Sequence, residues 1–401
     1  MNRSRKVALV FLLAGALVTL LLMATTNAHG GRSNDTVNSP IVADGPQAIV
    51  QGWQQVNTSG FGTAGNNMIS ALVAFNGQMY ATTWNTAGAQ VWRTNDGKVW
   101  SQFTPSAPFT TTMIYDAQAF GGYLYIGTYL DPSGGEIWRT NGTSWECVAS
   151  AGLGDSNNVA FSALATFSNT LYVATANPTT GVEIWRSSTG NLGSWTQVNT
   201  DGFGGGATWD AITMVGDFQG YHYVGLGRKV GASGSLAELW RSNNGTTWTP
   251  VFTDGLGNAN NTTVTAFAKT ATGLWIGLRN TTTGGQVWRA ANGTTFSSIT
   301  TNGFNNPDNK RPHGILVFEE RVFVVFSNWV TGAQVWKSDP TGPWRRIVEG
   351  GWGDPNNKNA DYFDKAAVHF NGSLYIGTGN DVVGGQIWQM LHPLYLPLVI
   401  K

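Results

Sequence analysis

Seven times along this chain the same short phrase returns: a small residue or Val, then Glu or Gln, an aliphatic residue, and Trp. The tryptophans are Trp92, Trp138, Trp185, Trp240, Trp288, Trp336 and Trp388, spaced 46, 47, 55, 48, 48 and 52 residues apart. A unit of this length, rich in turn residues, holds only a few short strands. It cannot bury both faces of a small sheet by itself, so the units must stack on one another.

The second repeat shows what each unit contains. Asp116–Phe120 reads as a first strand, Gly121-Gly122 as a turn, and Tyr123–Tyr129 as a second strand. After a loop of turn residues, Glu136–Thr140 reads as a third strand, Asn141-Gly142 as a hairpin turn and Trp145–Val148 as a fourth. Asn-Gly between strand-like runs is a strong hairpin signal, because both turn positions favour positive φ. It recurs at Asn76-Gly77, Asn244-Gly245, Asn292-Gly293 and Asn371-Gly372. The expected fold is all-β: a seven-bladed β-propeller of four-stranded antiparallel blades. The seventh repeat ends after its third strand, and the missing strand stands at the other end of the chain as Gly52-Trp53-Gln54-Gln55-Val56. The N-terminal strand is therefore expected to close the last blade and remove an exposed edge.

The turn between third and fourth strands resembles a degenerate Asp-box, the hairpin motif of sialidases and other propellers with such repeats. It reads Arg93-Thr94-Asn95-Asp96-Gly97-Lys98-Val99-Trp100 and Arg241-Ser242-Asn243-Asn244-Gly245-Thr246-Thr247-Trp248. The resemblance covers these hairpins alone. It implies a blade topology, with the box as a stabilising turn on the face away from any site. The Arg-Ile-Pro motif that accompanies sialidase chemistry is absent, so no activity is carried over.

Charged residues make up 11% of the chain, and the 23 basic and 23 acidic residues cancel. With no basic stripe, nucleic acid is an unfavoured partner. Arg3, Arg5 and Lys6 precede an uncharged, mostly apolar stretch, so residues 1–28 read as a signal peptide and 29–49 as a linker. Residues 50–391 form the propeller, and 392–401 an apolar tail too short to span a bilayer. A secreted or cell-surface protein is expected, with no membrane span after signal removal. The only cysteine, Cys147, leaves no internal disulfide to form.

In a repeat protein the conserved phrase is scaffold, and function resides where the repeats diverge. The Glu/Gln before each repeat Trp alternates between carboxylate and amide, which suits hydrogen bonding and not acid–base catalysis. The loops that start strand one and those that leave strand two diverge between repeats. They supply the candidate ligand-binding set: Trp84, Asp116, Tyr129, Trp209, Asp210, Arg228, Arg279, His313, Trp329 and Lys365. Aromatic faces with fixed charges suit sugars or polar ligands. Asp361 and Asp364 are further carboxylates in these segments, and no residue is assigned a catalytic role. No His pair has metal-ligand spacing; the Asn- and Asp-rich loops offer a weak calcium signal and no other cofactor is implied. The expected protein is a monomeric, non-enzymatic binding module for an extracellular glycan or protein. A glycan-active hydrolase or lyase is the alternative.

Overall fold

The computed structural model describes residues 49–103, 109–205, 209–228, 236–339 and 343–391, all within one compact unit. The expected signal segment, the linker up to residue 48 and the tail from 392 lie outside them. The described secondary structure consists of strands and 3-10 turns.

Strands pair antiparallel in groups of four, in chain order. In the second repeat Ile114–Phe120, Tyr123–Thr128, Ile137–Thr140 and Trp145–Ala149 form one sheet, close to the sequence reading. The same order runs from Met68–Phe75 to Ser101–Gln102, and from Ala160–Phe167 to Thr196–Gln197. It runs again from Trp209–Phe218 to Thr249–Phe252, from Asn261–Thr270 to Ser297–Thr300, and from Asn309–Phe318 to Arg345–Val348. In the last group Ala367–Phe370, Ser373–Gly379 and Ile387–Met390 are completed by Trp53–Gln55 from the other end of the described chain. Trp53 stands opposite Met390, and Gln55 opposite Trp388. Ile49–Val50 folds back on this strand, so Ile49 belongs to the sheet and not to the linker. The first strands of successive groups pack side by side, and Ala367–Phe370 lies against Met68–Phe75 to close the cycle.

The recurring Glu/Gln is a hydrogen-bond hub. Its side-chain oxygen accepts the indole N–H of the Trp two residues on in every repeat, at 2.7 to 3.2 Å. In five repeats the same oxygen also accepts an Asn amide: Asn66 to Gln90, Asn158 to Glu183, Asn261 to Gln286, Asn309 to Gln334 and Asn357 to Gln386. One acceptor oxygen with two lone pairs is all this role requires, so amide and carboxylate interchange. A second Asn (Asn85, Asn177, Asn280, Asn328 or Asn380) donates to the first one's oxygen.

The sequence reading treats the repeat tryptophans as packing groups. Trp92 and Trp388 are buried, while Trp138, Trp185, Trp240, Trp288 and Trp336 are half-buried. An aromatic residue at positive φ in the preceding loop covers several of them. Phe61 stacks on Trp92 at 4.4 Å, Phe304 on Trp336 at 4.5 Å and Trp352 on Trp388 at 5.7 Å.

The hairpins between strands three and four lock neighbouring groups together. Thr94 Oγ1 accepts the Gly97 N–H, and Asp96 accepts those of Lys98 and Val99; Ser242 and Asn244 repeat the pattern. Gly97, Gly190, Gly245 and Gly293 have positive φ and sit against a buried tyrosine hydroxyl of the adjacent group. A Cβ on Gly245 would lie 1.8 Å from the Tyr172 hydroxyl, which leaves room for glycine alone. The fourth-strand indoles of Trp100, Trp195 and Trp248 donate to the backbone oxygens of Val56, Val148 and Val198 in the preceding group.

Candidate functional site

Antiparallel pairing decides which loops share an end of the molecule. Trp84 lies opposite Met68, Arg228 opposite Trp209, Arg279 opposite Thr263 and Ser327 opposite Arg311. The end of each second strand thus flanks the start of the first, and the divergent loops gather on one side. They are also stitched across groups. Trp84 bridges Met113 and Tyr129 bridges Ala160, while the Asn328 N–H donates to Lys358 O and that of Asn380 to Asn67 O.

The expected site residues divide into an outer and an inner layer. In the outer layer Trp329 is 51% exposed, with the Lys358 ammonium 5.9 Å from its ring. Tyr129 is half-buried beside Tyr115, ring centroids 6.3 Å apart, and its hydroxyl points at Asp131 from 3.5 Å. Trp84 and Arg279 are half-buried. The backbones of Trp209, Asp210 and Arg228 lie in paired strands, but their side chains fall outside the described set.

Asp116, His313 and Lys365 form the inner layer, not part of an open loop surface. The cause is a bulge repeated along the first strands. Register shifts occur between Ile69 and Ala71, Ile114 and Asp116, Phe161 and Ala163, Val264 and Ala266, and Pro312 and Gly314. In the last repeat that place, between Ala360 and Ala367, holds the whole insert 361–366. Past the bulge, these first strands have no further strand on their inner edge among the described residues, so the N–H groups there need acceptors. The insert and Asp116 supply them. Lys365 O accepts from Leu72 at 2.8 Å, and Asp364 accepts from Phe267 at 2.8 Å and Ile315 at 3.1 Å. Asp116 accepts from Leu164 at 2.5 Å and from Ala117 at 2.7 Å, and pairs with the Lys365 ammonium at 3.2 Å. Leu72, Ala117, Leu164, Phe267 and Ile315 all stand just past their bulges. The insert therefore ties together strands of five further groups.

Burial sets the electrostatics of this interior. It raises Asp116 above the usual carboxylate range, against the pull of Lys365, and pushes Asp364 up to about 7. His313 is 1% exposed, its Nε2 is 3.3 Å from the Arg311 guanidinium, and its ring meets Tyr362 edge-on. Burial, then Arg311 and Arg279, hold its imidazole neutral well below the usual range. Beyond the insert a cavity of about 380 Å³ runs between the later halves of the first strands. It is lined by Phe267, Lys269, Ile315, Val317, Asp364 and His369 among others. Cys147 is half-buried with its thiol on Ala149 O, and burial raises its pKa, so the thiolate is disfavoured.

Sequence reasoning did not anticipate Tyr362 or Lys358 as partners, nor the insert as an axial element. The one available signal was the 52-residue spacing between Trp336 and Trp388, longer than its neighbours. No set of three or more His, Cys, Asp or Glu side chains converges on a metal among the described residues. Nor is any described helix long and apolar enough to cross a membrane.

The groups of antiparallel strands, closed in a cycle around an axis, define a propeller-type all-β fold. No family model matches the sequence, and no curated protein does. Among solved structures the chain is similar to the polysaccharide lyase Uly1, at 11% identity and TM-score 0.52, over 86% of this chain and 94% of that one. It is similar to a chain of a mitotic checkpoint complex at 13% identity and TM-score 0.53, covering 92% and 100%. An Aleuria aurantia lectin bound to a fucosyl sugar follows at 11% identity and TM-score 0.41, covering 71% and 95%. For the lyase and the checkpoint chain, at such identities, the likeness is one of fold alone.

Proposed function

We propose that this chain is an exported, seven-bladed β-propeller binding module that holds a glycan on its divergent-loop face without transforming it. The proposal includes Asp-box-like hairpins on the opposite face, a signal peptide over 1–28, a linker to 48 and a monomeric ring from 49 to 391. The observation that carries it is the division of labour between layers. Two of the interior carboxylates, Asp116 and Asp364, are committed to backbone N–H groups of the scaffold, whereas aromatic surface remains in the outer layer. Trp329 offers an exposed ring, and Trp84 and the Tyr115–Tyr129 pair add half-buried aromatic residues on other groups. Flat apolar rings beside cations are the surface that sugar rings stack on. Trp209, Asp210, Arg228 and Arg279 are assigned to the same face.

A second reading, a glycan-active lyase or hydrolase, is favoured by the neutral His313 between Arg311 and Tyr362. Its burial at 1% exposure counts against direct contact with substrate. A glycan array with the full chain, followed by reducing-end and unsaturated-product assays on each hit, separates the readings. The binding module retains bound glycan unchanged; turnover of any hit overturns the non-enzymatic assignment. Trp329→Ala is expected to lose glycan capture with an unchanged melting temperature, while Lys98→Ala on the opposite hairpins leaves capture intact. The reverse sensitivity would place the site on the other face.

A further inference from the structure

Three carboxylates enter the axial interior, and the scaffold explains only two. Asp116 and Asp364 each accept two backbone N–H groups. Asp361 is fully buried, and neither of its carboxylate oxygens has a hydrogen-bond partner. The Ala366 N–H faces it without reaching hydrogen-bond geometry. A buried carboxylate with no partner is among the most costly groups a fold can carry, and its presence calls for a ligand or a proton. Room has been left for it: a Cβ on Gly314 would stand 1.7 Å from Asp361 Oδ2, so only glycine allows the carboxylate to lie against that strand. The insert's one ammonium, Lys365, is turned to Asp116.

We propose that Asp361 and Asp364 together hold a hard metal cation of the calcium class at the axis of the ring. Both donors are carboxylate oxygens, which select hard cations. The oxygens of Asp364 retain lone pairs beyond the two backbone N–H groups they accept. The two carboxyls meet consecutive residues of one strand: Asp361 lies against Gly314, and Asp364 Oδ1 accepts from the N–H of Ile315 at 3.1 Å. Asp364 also lines the 380 Å³ cavity on the side opposite the divergent loops. The cation's role is structural: it joins the insert to the strands of Phe267 and Ile315 and completes the axial closure.

The test uses the full chain, stripped with EDTA and dialysed, with melting temperature and terbium luminescence as readouts. The expected result is a melting temperature several degrees lower after stripping, restored by Ca²⁺, and one terbium bound per chain. Asp361→Asn should abolish the terbium signal and the Ca²⁺ response, while Asp155→Asn and Asp354→Asn in the outer loops keep both. An unchanged melt on stripping with no stoichiometric terbium overturns the proposal, and would mean that a proton neutralises Asp361. Retention of the terbium site in Asp361→Asn overturns it equally. Should that variant fail to fold, the stripping experiment on the unaltered chain decides alone.

Discussion

Glu183 does with a carboxylate what Gln90, Gln286, Gln334 and Gln386 do with an amide: it accepts from a Trp and an Asn. The carboxylate carries a penalty the amide avoids, because burial raises its pKa above the ordinary 4.5. A raised folded-state pKa means that the folded protein holds the proton more tightly than the unfolded chain. That contribution to stability is complete below the unfolded pKa and is lost as pH rises through the folded one. Glu183→Gln should therefore gain stability relative to the parent between pH 4 and pH 7, measured by urea unfolding at both values. A flat difference between the two would refute the assignment. Gly245 makes the complementary point about space. Gly245→Ala meets the Tyr172 hydroxyl at positive φ and should destabilise by about 1–3 kcal/mol. Adding Tyr172→Phe should recover part of that loss in a double-mutant cycle, and strict additivity would show that the clash is not the cause.

At the level of elements, the strand Trp53–Gln55 is worth more than its length suggests, because without it Ile387–Met390 presents an open edge. Deleting residues 50–57 should lower the melting temperature well below that of a chain lacking 30–45, and should promote aggregation on heating. Equal melting temperatures for the two deletions would rule out the closing role. This strand could be read from the sequence because its evidence is local: a repeat short by one strand at one end and a spare strand at the other. The hairpins were legible for the same reason, although only Asn76-Gly77 and Asn371-Gly372 put both residues at positive φ; at Asn141, Asn244 and Asn292 the glycine alone does so and the Asn side chain caps the turn. The insert 361–366 was not. Its spacing anomaly announces extra residues, but the acceptors and donors it meets, from Leu72 to Ile315, are far apart in sequence. Asp116 and His313 were misplaced on the loop face because strand alternation cannot register a bulge, and the bulge turns both toward the axis.

For the molecule as a whole, the axial interior works as a shared fastening for strands that otherwise meet only their neighbours. Lys365 is its cationic element, with a side chain 16% exposed against an Asp116 at 1%. Removing one partner of such a pair strands the other charge, so Lys365→Met should cost about 3–5 kcal/mol in chemical unfolding. Asp116→Asn added to Lys365→Met should restore part of it; an undiminished loss would mean that Lys365 acts through its aliphatic packing instead. The clasp of Trp53–Gln55 on Ile387–Met390 also sets a timetable. Ile387 N–H bonds to Asn57 Oδ1 across 330 residues, so this contact cannot form until nearly all of the described chain has been synthesised. Contacts of that span form slowly, after the local hairpins. Until then Trp53–Gln55 is a strand without a sheet, and any chaperone or pore handling the emerging chain must keep it from pairing elsewhere.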